Sequence, residues 1–432
     1  MYEHQAIRTD VARIVVYVSP VNTPHGEPGS RAIPARRTGP FGRATRVLLL
    51  GLVVLVFGAI ALWGPSLASH WQCRATDAAA IIPKDGALFG VNLDWASETV
   101  AQYSQDLGHS PAVAAQFTNL PYDNAAWGWV TASAAQAKSA GAVLLLTLEP
   151  NQGLDAVTAR VVTQLASDLR VINDQGTPVV LRFAHEMNGS WYPWSQRPTQ
   201  YIEVFRKVAA AVHQRAPGTA MLWAPNYGGG YPFSAGQYGA VPGTSDFALL
   251  DTNADGVLTM ADDPYLPYYP GDDAVDWVGM SLYHWGKHYP WGTNDIPEAG
   301  KLAGMLTGTY SGSVGDERAV PDFYQVFGAQ HRRPVAITET AALYAPGGTG
   351  ADELAVKQAW WRQVFSNQIH EQFPMLKMIN WFEWNKDETE VGGVVDWRTL
   401  NNATTRTAFV ADLPSWLTYG GKSLKACTWG FN

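Results

Sequence analysis

Two cysteines in 432 residues leave room for one disulfide at most. They are Cys73 and Cys427, one near each end of the chain that follows the N-terminal stretch. In an oxidising compartment they can pair and tie those ends together; two unpaired buried thiols are the alternative. Charge is sparse too, at 16% of residues, and from residue 47 onward 23 Lys and Arg face 35 Asp and Glu. So acidic a body excludes nucleic acid as a partner. No G-x-G-x-x-G follows the first apolar run, which disfavours an open, doubly wound dinucleotide-binding sheet. No repeat of about 20–50 residues and no low-complexity run interrupts the body, which excludes a solenoid. No amphipathic helix is left over, so the chain reads as a monomer.

What is abundant is apolar and aromatic. Hydrophobic residues make up 47% of the chain, with 18 Trp and 18 Tyr, a globular composition with unusual ring content. Residues 1–46 differ: they hold seven Arg against three acids, are rich in Pro and Gly, and lack periodicity, so they read as a disordered tail. Val47 to Trp63 is an uncharged apolar run, preceded by Arg31, Arg36, Arg37, Arg43 and Arg46. It reads as a type II membrane anchor (residues 47–64) or, with Ser66-Leu67-Ala68 as cleavage site, a signal peptide. Either reading places residues 72–432 outside the cytoplasm.

From residue 87 short apolar runs alternate with helical stretches. The runs are Ala87–Leu93, Ala112–Thr118, Gly141–Leu148, Pro178–Phe183, Ala220–Ala224, Val275–Leu282, Pro334–Thr338 and Met375–Phe382; the helical stretches include Leu154–Asn173, Thr199–Arg215 and Asp352–Gln368. Eight such alternations predict one α/β domain, a (β/α)8 barrel with long loops. Polar and aromatic residues gather at the same end of successive runs: Glu149, His185-Glu186, Asn226, Tyr283-His284-Trp285, Glu339 and Trp381-Phe382-Glu383-Trp384. In a parallel barrel that end is one mouth.

The most concentrated stretch is Val179–Trp194, V-V-L-R-F-A-H-E-M-N-G-S-W-Y-P-W. His185, Glu186 and Asn188 end a buried strand, and Trp191, Tyr192 and Trp194 follow. Flat aromatic faces suit the apolar faces of sugar rings. Two carboxylates at the ends of strands 4 and 7 lie across such a mouth from one another. Glycoside cleavage needs a pair of this kind: one carboxyl protonated to serve the leaving oxygen, the other ionised. Glu186 is the candidate acid/base and Glu339 the candidate nucleophile. His185, Asn188, Asn226 and Glu149 are candidate substrate contacts, and Tyr283 can also hold Glu339. Trp191, Trp381 and Trp384 are candidate sugar platforms. Glu383 is an alternative nucleophile. The reading requires Glu186 and Glu339 to share a hollow, with neither sealed against a fixed cation.

His185-Glu186-Met187-Asn188-Gly189-Ser190-Trp191 followed by Trp194 resembles the acid/base motif of glycoside hydrolase family 26. The strand end Ile337-Thr338-Glu339-Thr340, with Tyr283 before it, resembles the family's nucleophile region. The resemblance spans about residues 85–418. It implies a retaining endo-glycanase using Glu186 and Glu339 without a catalytic metal, most often a β-mannanase. It also implies that Trp191, Tyr283 and one Trp of the last strand hold substrate. Other members cleave mixed-linkage β-glucan or β-1,3-xylan, and where family mannanases tend to carry His this chain has Glu149, a departure that counts against mannan itself but not against a glycosidase. Two other expectations stay open: a non-catalytic glycan-binding barrel, and an enzyme remodelling the cell's own wall.

One further motif stands apart. Residues 251–262 follow D-x-N-x-D-G with an acid in twelfth place. Asp251, Asn253, Asp255, the Val257 carbonyl, Thr259 and Asp262 could wrap a structural Ca²⁺ and brace a loop.

Overall fold

The computed structural model describes residues 72–234, 236–312, 320–421 and 427–430. The tail and the Val47–Trp63 run lie outside these residues. Among the described residues no helix is long and apolar enough to cross a membrane.

Eight parallel strands close into a ring: β1 (Ala87–Leu93), β2 (Val113–Asn119), β3 (Val143–Glu149), β4 (Val179–Phe183), β5 (Thr219–Trp223), β6 (Trp277–Ser281), β7 (Val335–Thr340) and β8 (Leu376–Glu383). Each pairs with the next, and β8 pairs with β1, so the ring has no free edge. A two-residue strand, Leu417–Thr418, also lies against β1. This is the (β/α)8 barrel that the alternation predicts.

Helices break where capping side chains stand. The stretch 352–368 divides into Glu353–Val364 and Asn367–Gln372 because Ser366 accepts a hydrogen bond from the Ile369 N–H and starts a new helix. Thr158 does the same at Val161, so the helix expected from Leu154 begins at Ala159. Between β6 and β7 a seven-residue helix, Lys301–Thr307, precedes a π-helical turn, Tyr324–Gln330.

Strand alternation sorts the core in two. Phe89, Val91, Leu144, Leu146, Val278 and Ile337 face the helices in one cluster. Leu88, Val113, Leu145, Val180, Leu222, Trp277, Ala336 and Met378 fill the lower barrel with Ile81, which comes from the short helix Ala78–Ile81. Two residues further along the strands, the same inward parity turns polar. Asn92, Thr147, Arg182, Ser281, Thr338 and Asn380 are all buried. Asn380 has room because β1 places Gly90 opposite it: a Cβ there would lie 1.8 Å from the Asn380 side-chain oxygen. An apolar floor under a polar layer forces the chemistry toward the C-terminal mouth.

Outside the ring, Gln72–Ala75 pairs antiparallel with Cys427–Gly430. Cys73 is disulfide-bonded, and the other cysteine of the sequence, Cys427, lies on the strand it pairs with.

Candidate active site

The turn after β4 is strained. Ala184 and Glu186 hold φ of 46° and 54°, a region that costs a side chain about 1–2 kcal/mol each. Neighbouring loops hold it there. The Ala184 N–H donates to the Leu148 carbonyl and the Glu186 N–H to the Ala224 carbonyl, both at 2.9 Å. The Trp194 indole donates to the His185 carbonyl at 2.7 Å. Asn188 uses both ends of its amide on the Asn226 backbone, each at 2.8 Å. So fixed, Glu186 accepts from the Trp191 indole at 3.1 Å.

Glu339 arrives by a different device. Strict alternation along β7 would send it outward, since Ala336 and Thr338 point in. The register slips: Met280 faces Ile337, but Ser281 faces Glu339. On the other side Ile337 faces Ile379, and Thr340 faces Trp381. This extra residue is a β-bulge, which re-aims the side chain beyond it. Glu339 therefore turns into the mouth, and Thr340 turns out to accept from the Trp360 indole at 2.9 Å.

Within the mouth Glu339 accepts from the Tyr283 hydroxyl at 2.6 Å and from the Arg182 guanidinium. Arg182 also donates to the Ser281 hydroxyl at 2.7 Å and lies 3.9 Å from Glu186. Glu339 thus has the fixed cationic partner that the sequence reading set against catalysis. That condition was too strict. A nucleophile must be ionised, and a buried carboxylate needs a compensating charge. Nor is Glu339 sealed, because Arg182 is shared.

The charge balance gives the site its character. Glu149, Glu186 and Glu339 interact with one another and with the single guanidinium of Arg182. His185 adds no charge, since burial and then Arg182 hold it well below its ordinary range. Burial first, then repulsion from Glu339, raises Glu186 above a normal carboxyl. The same two causes lift Glu149 to about 7. One cation cannot satisfy three buried carboxylates, so Glu186 and Glu149 both sit above the ordinary carboxyl range.

The remaining predicted contacts divide. Trp191 stands at the rim, 38% exposed, and Trp384 is half-buried, stacked on Phe382 at 5.9 Å. Trp381 is not a platform: it is wholly buried against Phe365 and Phe409, facing the helices. Asn188 spends its amide on the Asn226 backbone and joins the two loops, while the Asn226 side-chain amide donates to the Tyr227 carbonyl at 3.3 Å. His185 is buried between Phe117 and Tyr192 with Nδ1 unpartnered. Glu383 does not compete with Glu339. It shares the outward parity of Trp381, and both its oxygens accept from the Thr399 N–H at 3.0 Å.

Burial lifts Glu383 to about 7. A carboxyl raised on folding stabilises fully below its unfolded pKa and progressively less as pH rises toward the folded value. Glu383→Gln, which mimics the protonated form, is therefore expected to stabilise the protein at about pH 8 by up to roughly 3 kcal/mol, and to change little at about pH 4. Calorimetry at the two pH values checks this.

The loop 251–262 folds on its own backbone. Asp251 accepts from the N–H groups of Asp255 at 3.0 Å and Gly256 at 2.8 Å, and Asp262 from those of Thr252 and Thr259 at 2.8 Å. Among the described residues, the ligand atoms that converge are those of His185, Glu186 and Glu339, within 4.8 Å of one another.

Arg182 and Ser281 are the site residues that motif reasoning passes over. The signal for Arg182 was a charge in an apolar strand, in phase with Val180 and hence facing inward.

Comparison with known proteins agrees with the architecture. Residues 87–239 match the family model described as Glycosyl hydrolase family 26. The chain is 24% identical over 337 residues to Endoglucanase H of Acetivibrio thermocellus, covering 72% of this chain but 29% of that protein. In fold it resembles an endo-β-1,4-mannanase double mutant from Cellulomonas fimi (TM-score 0.53, 16% identity, 82% of this chain and 79% of that one). It equally resembles the catalytic domain of a Bacillus sp. JAMB-750 endo-β-1,4-mannanase (TM-score 0.52, 14% identity, 83% and 96%). The family match covers the segment that builds β1 to β5 and delivers Glu186.

Proposed function

We propose that the protein is a retaining glycoside hydrolase, cleaving a β-linked polysaccharide by a double displacement through Glu186 and Glu339. The observation that carries this is their separation. A carboxylate oxygen of each lies within 4.8 Å of the other, whereas an inverting pair needs room for water at about 6.5–9.5 Å. In the first step protonated Glu186 gives its proton to the glycosidic oxygen while the Glu339 carboxylate attacks the anomeric carbon. The C–O bond to the leaving sugar breaks and a glycosyl ester forms. In the second step Glu186, now ionised, takes a proton from water, whose oxygen attacks the same carbon and releases Glu339. Tyr283 and Arg182 orient Glu339 throughout, and Trp191 steadies Glu186.

The substrate we infer is β-1,4-mannan or a β-glucan of similar shape. The mannanase structures and the endoglucanase relative support both, and Glu149 in the mouth counts against mannan alone. Full-length protein incubated with mannan, mixed-linkage glucan and xylan tests the reading. The expected outcome is release of oligosaccharides whose new reducing ends begin in the β-configuration by NMR. Initial α-product would rule out double displacement. The disulfide-bonded Cys73 and the Arg-flanked run Val47–Trp63 support export, so the proposed place of action is outside the cytoplasm. Calcium in the 251–262 loop is proposed on its motif rather than its geometry; an unchanged melting temperature on calcium addition removes it.

A further inference from the structure

The loop 282–298, after β6, carries more aromatic surface than the carboxylate pair uses. At its base Tyr283 donates to Glu339. The Tyr283 ring lies 5.2 Å from buried Trp397, which lies 5.1 Å from half-buried Trp285. The next residue, Gly286, has φ of 137°, and a Cβ there would sit 3.5 Å from the Trp291 ring. Trp291 meets Tyr289 edge to face at 5.9 Å. Tyr283, Trp285 and Trp397 thus form one group of rings beside the nucleophile, and Trp291 and Tyr289 form a second across Gly286, ending at Tyr289, which is 69% exposed.

The second group has a floor. A Cβ added at Gly292 would lie 3.3 Å from Val391, so the loop backbone comes close to the turn of the hairpin Asn385–Glu388 with Gly393–Asp396 that follows β8. The loops after β6 and β8 therefore make one wall. Clamping that wall accounts for Trp291, which is half-buried. It does not account for Tyr289, whose ring stands in water beyond the clamp. An exposed ring at the end of the loop whose base holds the nucleophile is what a sugar chain longer than one residue would lie along, its C–H faces on the aromatics and its hydroxyls in solvent.

We propose that Tyr289 and Trp291 form a distal sugar-binding platform, which takes another ring of the same β-linked chain several residues from the bond that is cut. The inference rests on the glycosidase reading above. It predicts a length dependence that the catalytic pair alone would not produce.

The test compares full-length wild type, Tyr289→Ala and Tyr289→Phe on mannan or β-glucan polymer and on an aryl disaccharide too short to reach the platform. For Tyr289→Ala a loss of roughly five- to ten-fold in kcat/KM on polymer is expected, carried by KM, with the aryl disaccharide unchanged. Tyr289→Phe is expected to keep most of the polymer activity, since the ring remains. Equal losses on long and short substrates, or none on polymer, overturn the platform. If wild type cleaves neither, the glycosidase reading fails on its own. The platform is then judged by retardation in gels containing the polymer: weaker retardation of Tyr289→Ala supports it, and equal migration of variant and wild type overturns it.

Discussion

Glu339→Gln is expected to reduce hydrolysis of the polymer by about 10⁴-fold or more while leaving the fold and glycan binding in place. Gln keeps the shape: its carbonyl oxygen can still accept from Arg182, while its NH2 can donate to the Tyr283 hydroxyl, which turns to accept. What it loses is the ability to form the glycosyl ester. A smaller variant makes the assignment specific. In Glu339→Ala the vacated space lies beside Arg182, and a small anion such as azide is expected to occupy it and attack the anomeric carbon. On an aryl glycoside this gives a glycosyl azide of inverted configuration. Glu186→Ala is expected to behave differently: activity on aryl glycosides with acidic leaving groups survives better than on polymer, because such groups need no proton. If both variants lose polymer and aryl glycoside alike, and azide rescues neither, then neither carboxylate has its assigned role. If wild type and Glu339→Gln bind glycan equally and neither turns it over, the non-catalytic barrel is the right description.

The barrel was legible because each strand obeys a rule of the sequence. Both faces of a parallel strand are buried, so each reads as a short apolar run, and all eight runs end within two residues of their strands. Parity along the strand was equally legible and would have sorted the last one. Met378 and Asn380 point inward, so Phe382 and Trp384 face the mouth while Trp381 and Glu383 face the helices. The bulge in β7 was not legible. Nothing in Ala336-Ile337-Thr338-Glu339-Thr340 announces that two successive side chains turn inward, because the slip is decided by the register of β6 and β8. Glu339 was found by its place at the end of the seventh run, and strict alternation along the strand would have discarded it. The tightness of the 251–262 loop was also beyond sequence. A motif gives the order of oxygens but not which backbone N–H groups they accept from.

Arg182→Met is expected to be the most damaging single change, because Arg182 is the one cation among the interacting mouth carboxyls. It is fully buried and reaches Glu339, Ser281 and, at 3.9 Å, Glu186. Breaking a buried pair from one side costs about 3–5 kcal/mol, as the remaining charge loses its partner. The pH dependence separates this from a packing defect. Arg182 lowers the pKa of both Glu186 and Glu149, so removing it raises both further. A carboxyl whose folded pKa rises loses stability as pH climbs from its unfolded value through the folded one. The deficit of the variant is therefore expected to grow between about pH 5 and pH 8, where a cavity alone would cost the same at each. Activity follows the same sign. Glu186 stays protonated to higher pH, so the alkaline limb of kcat/KM is expected to move upward in whatever activity survives. Arg182→Lys keeps the charge without the fork, since one ammonium cannot serve Glu339 and Ser281 with the geometry of two guanidinium nitrogens. It is expected to fold, to hold its alkaline limb near the wild-type position, and to lose kcat through a less well fixed Glu339. An alkaline limb in Arg182→Met that stays put or moves down would mean that the guanidinium does not set the protonation of the acid, and the electrostatic account of the mouth would have to be rebuilt around Glu149.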